Sequence, residues 1–190
     1  MADGTRGWDR ETGEGGRTTG TTSSPSSRWA EARSSTEVSD SMEFTFSVAD
    51  DQQPPPSGFD LGHMDVRGSE GEASSRDRTP DQAMMIYLSL TLLLDGLRQF
   101  LTGRDRTYES AAVDSSFSLH FARRGDGLVE TSHAGEVVDR STEKELAGSV
   151  FRAAEQFGRT HLPGLPPDDA GREDLEASPA QFASTLARLG

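Results

Sequence analysis

Cysteine and asparagine are both absent from this 190-residue chain. Without thiols there are no disulfides, no thiolate nucleophile and no cysteine metal ligand, while the redox compartment stays open. Without asparagine there is no N-glycosylation acceptor. Lysine is nearly absent, Lys144 standing against eighteen arginines, and Ile86 is the one isoleucine. That usage points to a G+C-rich bacterial genome. A long apolar run is lacking too: Ala83–Leu94 gives way to Asp95 and Arg98, well short of the roughly 20 residues a membrane span needs. Met1–Arg6 leads into polar sequence with no apolar signal core, so the expected location is the cytoplasm.

An excess of basic charge is the next absence. The net charge is −13, but residues 80–162 carry nine basic against twelve acidic side chains. No basic stripe exists to displace counterions from a phosphate backbone, so a nucleic-acid partner is not expected. Residues 1–42 are dominated by Gly, Ser, Thr and charged residues without hydrophobic period. Such a segment cannot bury enough surface to offset its ordering entropy, and it reads as disordered. Residues 50–79, with Pro54-Pro55-Pro56 at their start, read as a flexible tether in which Phe59, Leu61, Met64 and Val66 form a patch able to dock locally.

What is present is a compact set of folding signals. Met42 to Val48 alternates apolar and polar at period two, a half-buried strand. Thr79-Pro80-Asp81-Gln82 reads as a capping box opening a helix from about Pro80 to Leu101. Gly103 stands where a left-handed C-terminal stop belongs, with Arg98 and Arg104 near the negative end of the dipole. Tyr108–Val113, Ser116–Phe121, Leu128–His133 and Glu136–Asp139 read as strands of an antiparallel meander turning at Arg124-Gly125-Asp126-Gly127. Thr142-Glu143-Lys144-Glu145 is a second capping box. The helix behind it shows one apolar face, Leu146, Val150, Ala153, Ala154 and Phe157, and closes near His161. An acidic linker over 163–177 and a short helix over 178–190 complete the chain. The predicted class is α+β: a small antiparallel sheet of three to five strands, order β-α-β-β-β-α, with two helices on one face.

Candidate chemistry is sparse. His120 and His133 would face each other across the hairpin if Asp126-Gly127 were a two-residue turn. A three-residue loop with Gly127 in the left-handed bulge position sets His120 opposite Ser132 and His133 opposite Leu119. The second register keeps Val129, Thr131 and His133 beneath Arg123, Phe121 and Leu119 and so continues the apolar face. It is preferred, and with no carboxylate nearby no metal ligand set is expected. Asp114-Ser115-Ser116 lacks the glycine elbow of a nucleophile, Arg124-Gly125-Asp126 is turn chemistry, and Gly13-Glu14-Gly15-Gly16 has neither strand before it nor helix after it. No cofactor is expected.

The first helix is overfilled. Ile86, Tyr87, Leu90, Leu93, Leu94, Leu97 and Leu101 make the stripe expected to face the sheet, and Met85, Leu88 and Leu92 make a second stripe turned away from it. Three such side chains left in water forfeit about 5–8 kcal/mol, so something must cover them. The cover is either intramolecular or a partner, another protein or a second copy of the chain. The expected function is a non-catalytic protein-protein interaction module: an adaptor, an immunity-type inhibitor or a regulator. A small hydrolase-like enzyme using His120 or His133 is the alternative.

Overall fold

The computed structural model describes residues 41–76 and 78–189. The predicted disorder of residues 1–42 lies, up to residue 40, outside the described residues. Met42 is 2% exposed and belongs to the core.

The class is α+β, and the single expected sheet resolves into two. In the first sheet β1 (Glu43–Val48) pairs antiparallel with β2 (Leu61–Arg67), with Phe44 opposite Val66 and Phe46 opposite Met64. On its other side β2 pairs with the short β3 (Glu72–Ser74) and, further along, with β4 (Met84–Met85). Residues 50–79 are therefore not the expected tether. Met64 and Val66 are core residues, and Phe59 alone of the supposed patch stays in water. The alternation was hidden because Gly62 takes an inward position: a Cβ there would collide with the Ser47 carbonyl and lie 2.8 Å from the Ile86 side chain.

The second sheet is the expected meander: β5 (Thr107–Ala111), β6 (Ser118–Arg123), β7 (Val129–His133) and β8 (Glu136–Ser141), in sequence order. Gly127 sits at φ +85° and the β6–β7 register sets His120 opposite Ser132, as the three-residue loop requires. Phe117, Leu119 and Phe121 are all buried on one face. Tyr108 stacks on Phe121 at 5.7 Å and on Phe100 at 6.2 Å.

Three helices complete the fold. The first, α1, spans Ile86–Thr102 and starts six residues after the predicted Pro80, with no side-chain cap on its N-terminus. Asp81 accepts from the Ala83 N–H, and the Met85 and Ile86 N–H groups donate to the Val113 and Asp60 carbonyls. Pairing of β4 with β2 thus holds extended the stretch that the capping box would have wound. Gly103 closes the helix in an extended conformation, φ −89° and ψ −167°, and not the left-handed one. The second helix, α2 (Glu143–His161), carries the predicted capping box, Thr142 Oγ1 accepting from the Glu145 N–H and Glu145 accepting from the Thr142 N–H. The third, α3 (Ala170–Leu186), replaces the expected acidic linker and begins eight residues before the predicted 178. Its N-cap Asp169 accepts from the Arg172 N–H and, across 111 residues, from the Gly58 N–H. Gly58 and Gly171 meet so closely that a Cβ on Gly58 would fall 2.7 Å from the Gly171 Cα.

The sheet-facing stripe of α1 is buried as expected, from Ile86 to Leu101. Between β5 on one side and α3 on another, α1 lies inside the fold. That is why a helix apolar on nearly all sides is compatible with a chain of this size.

Candidate functional site

The second stripe of α1 is placed unevenly. Met85 belongs to β4 opposite Leu61 and is half-buried, Leu88 is half-buried, and Leu92 is 52% exposed. The Leu92 carbonyl accepts from the Tyr108 hydroxyl at 3.3 Å. Intramolecular packing takes up most of this stripe, and one exposed leucine is ordinary surface.

His120 is exposed, with Glu109 of β5 and Ser132 of β7 on either side. His133 stacks on Phe117 at 4.6 Å, and its Nδ1 lies 2.8 Å from the Ser118 carbonyl, to which it donates. The register separates the two imidazoles, and no group of three metal-ligating side chains occurs among the described residues. Asp114 (φ 58°), Ser115 and Ser116 make a turn latched onto the α1 approach: Ser115 donates to the Gln82 carbonyl at 2.9 Å, and the Gln82 amide donates to Ser116 at 3.0 Å. At the hairpin tip Asp126 accepts from the Leu128 N–H at 3.1 Å. Both motifs serve the backbone.

A concavity lies elsewhere, along β1. It is a cleft of about 1090 Å³ lined on one side by consecutive residues Ser41–Phe46, at the Glu43 end by Arg67, Gly68 and Ser69, and on the other side by the flank of α2 that carries Ser149, Arg152, Ala153, Gln156 and Thr160. Consecutive strand residues, from both faces, can line one groove only where the strand presents its edge. The α2 residues recur every three or four positions and so form one continuous wall.

The hydrogen-bond phase of β1 shows what that edge offers. Ala49 N–H donates to the Leu61 carbonyl at 2.9 Å. By the alternation of an antiparallel ladder, Ser47, Thr45 and Glu43 also turn their backbone groups toward β2. Phe44 and Phe46 then turn theirs outward, into the cleft. The same phase appears on the far side of β2, where the Met64 carbonyl accepts from the Ser75 N–H toward β3. Phe44 and Phe46 keep their rings in the core, stacked at 6.2 Å, with Phe46 edge-on to Phe157 at 6.4 Å. The strand is thus anchored by its side chains and open by its backbone.

Charge in the cleft differs from charge on the chain. Arg152 is exposed, and its guanidinium reaches Ser149 Oγ at 3.4 Å with no carboxylate partner among the described residues. Arg67, at the Glu43 end, approaches Glu72 only at 3.9 Å, both side chains lying mostly in water. Glu43 is the one acidic side chain of the lining. At the far end His161 tilts against Phe157 at 4.6 Å, and burial holds its imidazole below the usual histidine value, hence uncharged at neutral pH.

This groove was not legible in the sequence. The period-two pattern of 42–48 shows a strand without showing which neighbours it has, and α2's groove flank reads as an ordinary solvated face.

No family model matches the chain, and no curated protein or solved structure matches it either. Among the described residues no helix is long and apolar enough to cross a membrane.

Proposed function

We propose that the chain is a non-catalytic protein-binding module acting in the cytoplasm, as an adaptor, an immunity-type inhibitor or a regulator. One observation carries this reading: a strand anchored by buried rings presents a backbone edge that no other described strand pairs with, inside a groove. Unpaired edges template pairing with other chains, and folded proteins ordinarily blunt them with charge, proline, bulges or a covering element. Here, among the described residues, no strand pairs with the edge at Phe44 and Phe46, and the one charged side chain of β1 is Glu43. The stripe of Met85, Leu88 and Leu92, with only Leu92 largely exposed, is the lesser candidate for the contact.

The test is capture from the native host with the full chain, wild type beside a doubly substituted form, Arg152→Glu with Gln156→Trp. Both positions are exposed on α2, so the fold should be kept while the groove wall is reversed in charge and filled. A partner retained by the wild type and lost from the double variant is expected. Identical sets of associated proteins from the two forms would remove the groove from the function. A partner lost instead on Leu92→Glu would move the contact to α1.

A further inference from the structure

Resting on that protein-binding reading, we infer that the groove takes an extended segment of a partner protein, added to β1 as a further strand, with an acidic side chain of the segment against Arg152.

The backbone specifies the shape of the occupant. Phe44 and Phe46 present their N–H and C=O groups two residues apart, the spacing at which an added strand pairs with alternate residues of its own. β1 has six residues, about 20 Å at ~3.3 Å per residue, so a segment of similar length saturates it. The volume of the cleft leaves room for such a strand and its side chains between the edge and the α2 wall.

The wall specifies the side chains. Strand addition sends alternate side chains of the occupant toward α2, where Ala153 leaves space, the edge of Phe157 is apolar and Arg152 offers a guanidinium without a carboxylate. A carboxylate there gains a charge-assisted hydrogen bond from a planar fork. Arg67 is paired with Glu72, so the unpaired positive charge of the lining among the described residues is that of Arg152, on a chain of net charge −13. It therefore favours an acidic segment against a background that repels acidic proteins in general.

A second copy of the chain fits less well. A two-fold pairing of β1 edges would set one α2 flank against the other, two walls meeting where a single strand fits.

The experiment pans the full-length chain against a displayed library of random dodecapeptides. The best binder is then resynthesised and measured by fluorescence anisotropy and by backbone amide exchange. The expected binders are rich in acidic residues, and slow the exchange of the Phe44 and Phe46 amides while leaving Thr45, already paired with β2, unchanged. Arg152→Glu should weaken them about tenfold or more, whereas Arg159→Glu, on the same helix but outside the groove lining, should not. Binders that protect other amides would overturn strand addition and leave the protein-binding reading standing. Basic binders, or indifference to Arg152→Glu, would overturn the acidic partner. Self-association of the chain through protected Phe44 and Phe46 amides would assign the groove to a second copy. The absence of any binder would overturn both the inference and the reading beneath it.

Discussion

The two sheets end differently. The outer edge of β8 is covered: the turn after β2 lies on it, with the Glu70 and Gly71 N–H groups donating to the Val138 carbonyl and Ser69 donating through N–H and Oγ to the buried Asp139 carboxylate. Arg140 fastens the cover, holding Glu70 at 2.7 Å and Glu130 of β7 at 2.8 Å. Arg124 also pairs with Glu130, and together the two arginines hold that carboxyl below its usual range. The outer edge of β1 has no such cover among the described residues, although its side chains are as deeply buried. One fold thus contains a closed edge and an open one, and the difference lies in backbone partners, not in packing.

Substitutions should separate packing from edge closure. Phe121→Ala, in the meander, and Phe46→Ala, in β1, each remove a ring from a buried site. Each should cost about 3–5 kcal/mol by denaturant unfolding, because both strands are anchored alike. A much smaller loss at Phe46 would mean that β1 is loosely held and its edge an accident. Tyr87, at the start of α1 and edge-on to Phe157 at 5.1 Å, has its hydroxyl pushed up to about 12, by burial first and then by Asp60 and Asp169. The unfolded phenol ionises near 10 and the folded one resists. Stability should therefore fall as pH rises from about 10 to 12, by roughly 2–3 kcal/mol, and Tyr87→Phe should flatten that slope.

Ser69→Ala should cost about 1–3 kcal/mol, since it takes a donor from a buried carboxylate whose other oxygen has no hydrogen-bond partner among the described residues. It should also speed amide exchange at Glu70 and Gly71, opening the closed edge. Thr142→Ala should cost about 0.5–2 kcal/mol through the lost capping box. Leu92→Glu, on the exposed flank of α1, should stay within about 0.5 kcal/mol of the wild type.

The same contrast explains what could be read from the sequence. The meander is built from neighbours in the chain, so its turn chemistry carries its register: Gly125-Asp126-Gly127 sets the three-residue loop, and Phe117, Leu119 and Phe121 mark the inner face. The α2 capping box is likewise local. The first sheet also pairs successive strands, but β1 and β2 are joined through the proline-containing stretch 49–60, and β4 returns to β2 only at Met84 and Met85. β2 lies among prolines and glycines, and one of its inward positions is Gly62, so the alternation that betrays a strand is broken by a residue needed for close approach. Thr79-Pro80-Asp81-Gln82 has a true helix-start pattern, overridden by pairing of Met84 and Met85 with β2. α3 begins behind the Asp169 cap, within the stretch expected to be a linker, and Pro179, near the start of the helix expected over 178–190, lies inside it. The groove follows from the first sheet and was hidden with it.

Backbone amide exchange on the free full-length chain tests the open edge most directly. The alternation described above predicts slow exchange at Thr45 and Ser47, which pair with β2, and exchange at least about tenfold faster at Phe44 and Phe46 between them. Uniformly slow exchange from Phe44 to Ser47 would show that the edge of β1 is already closed, and would contradict the account.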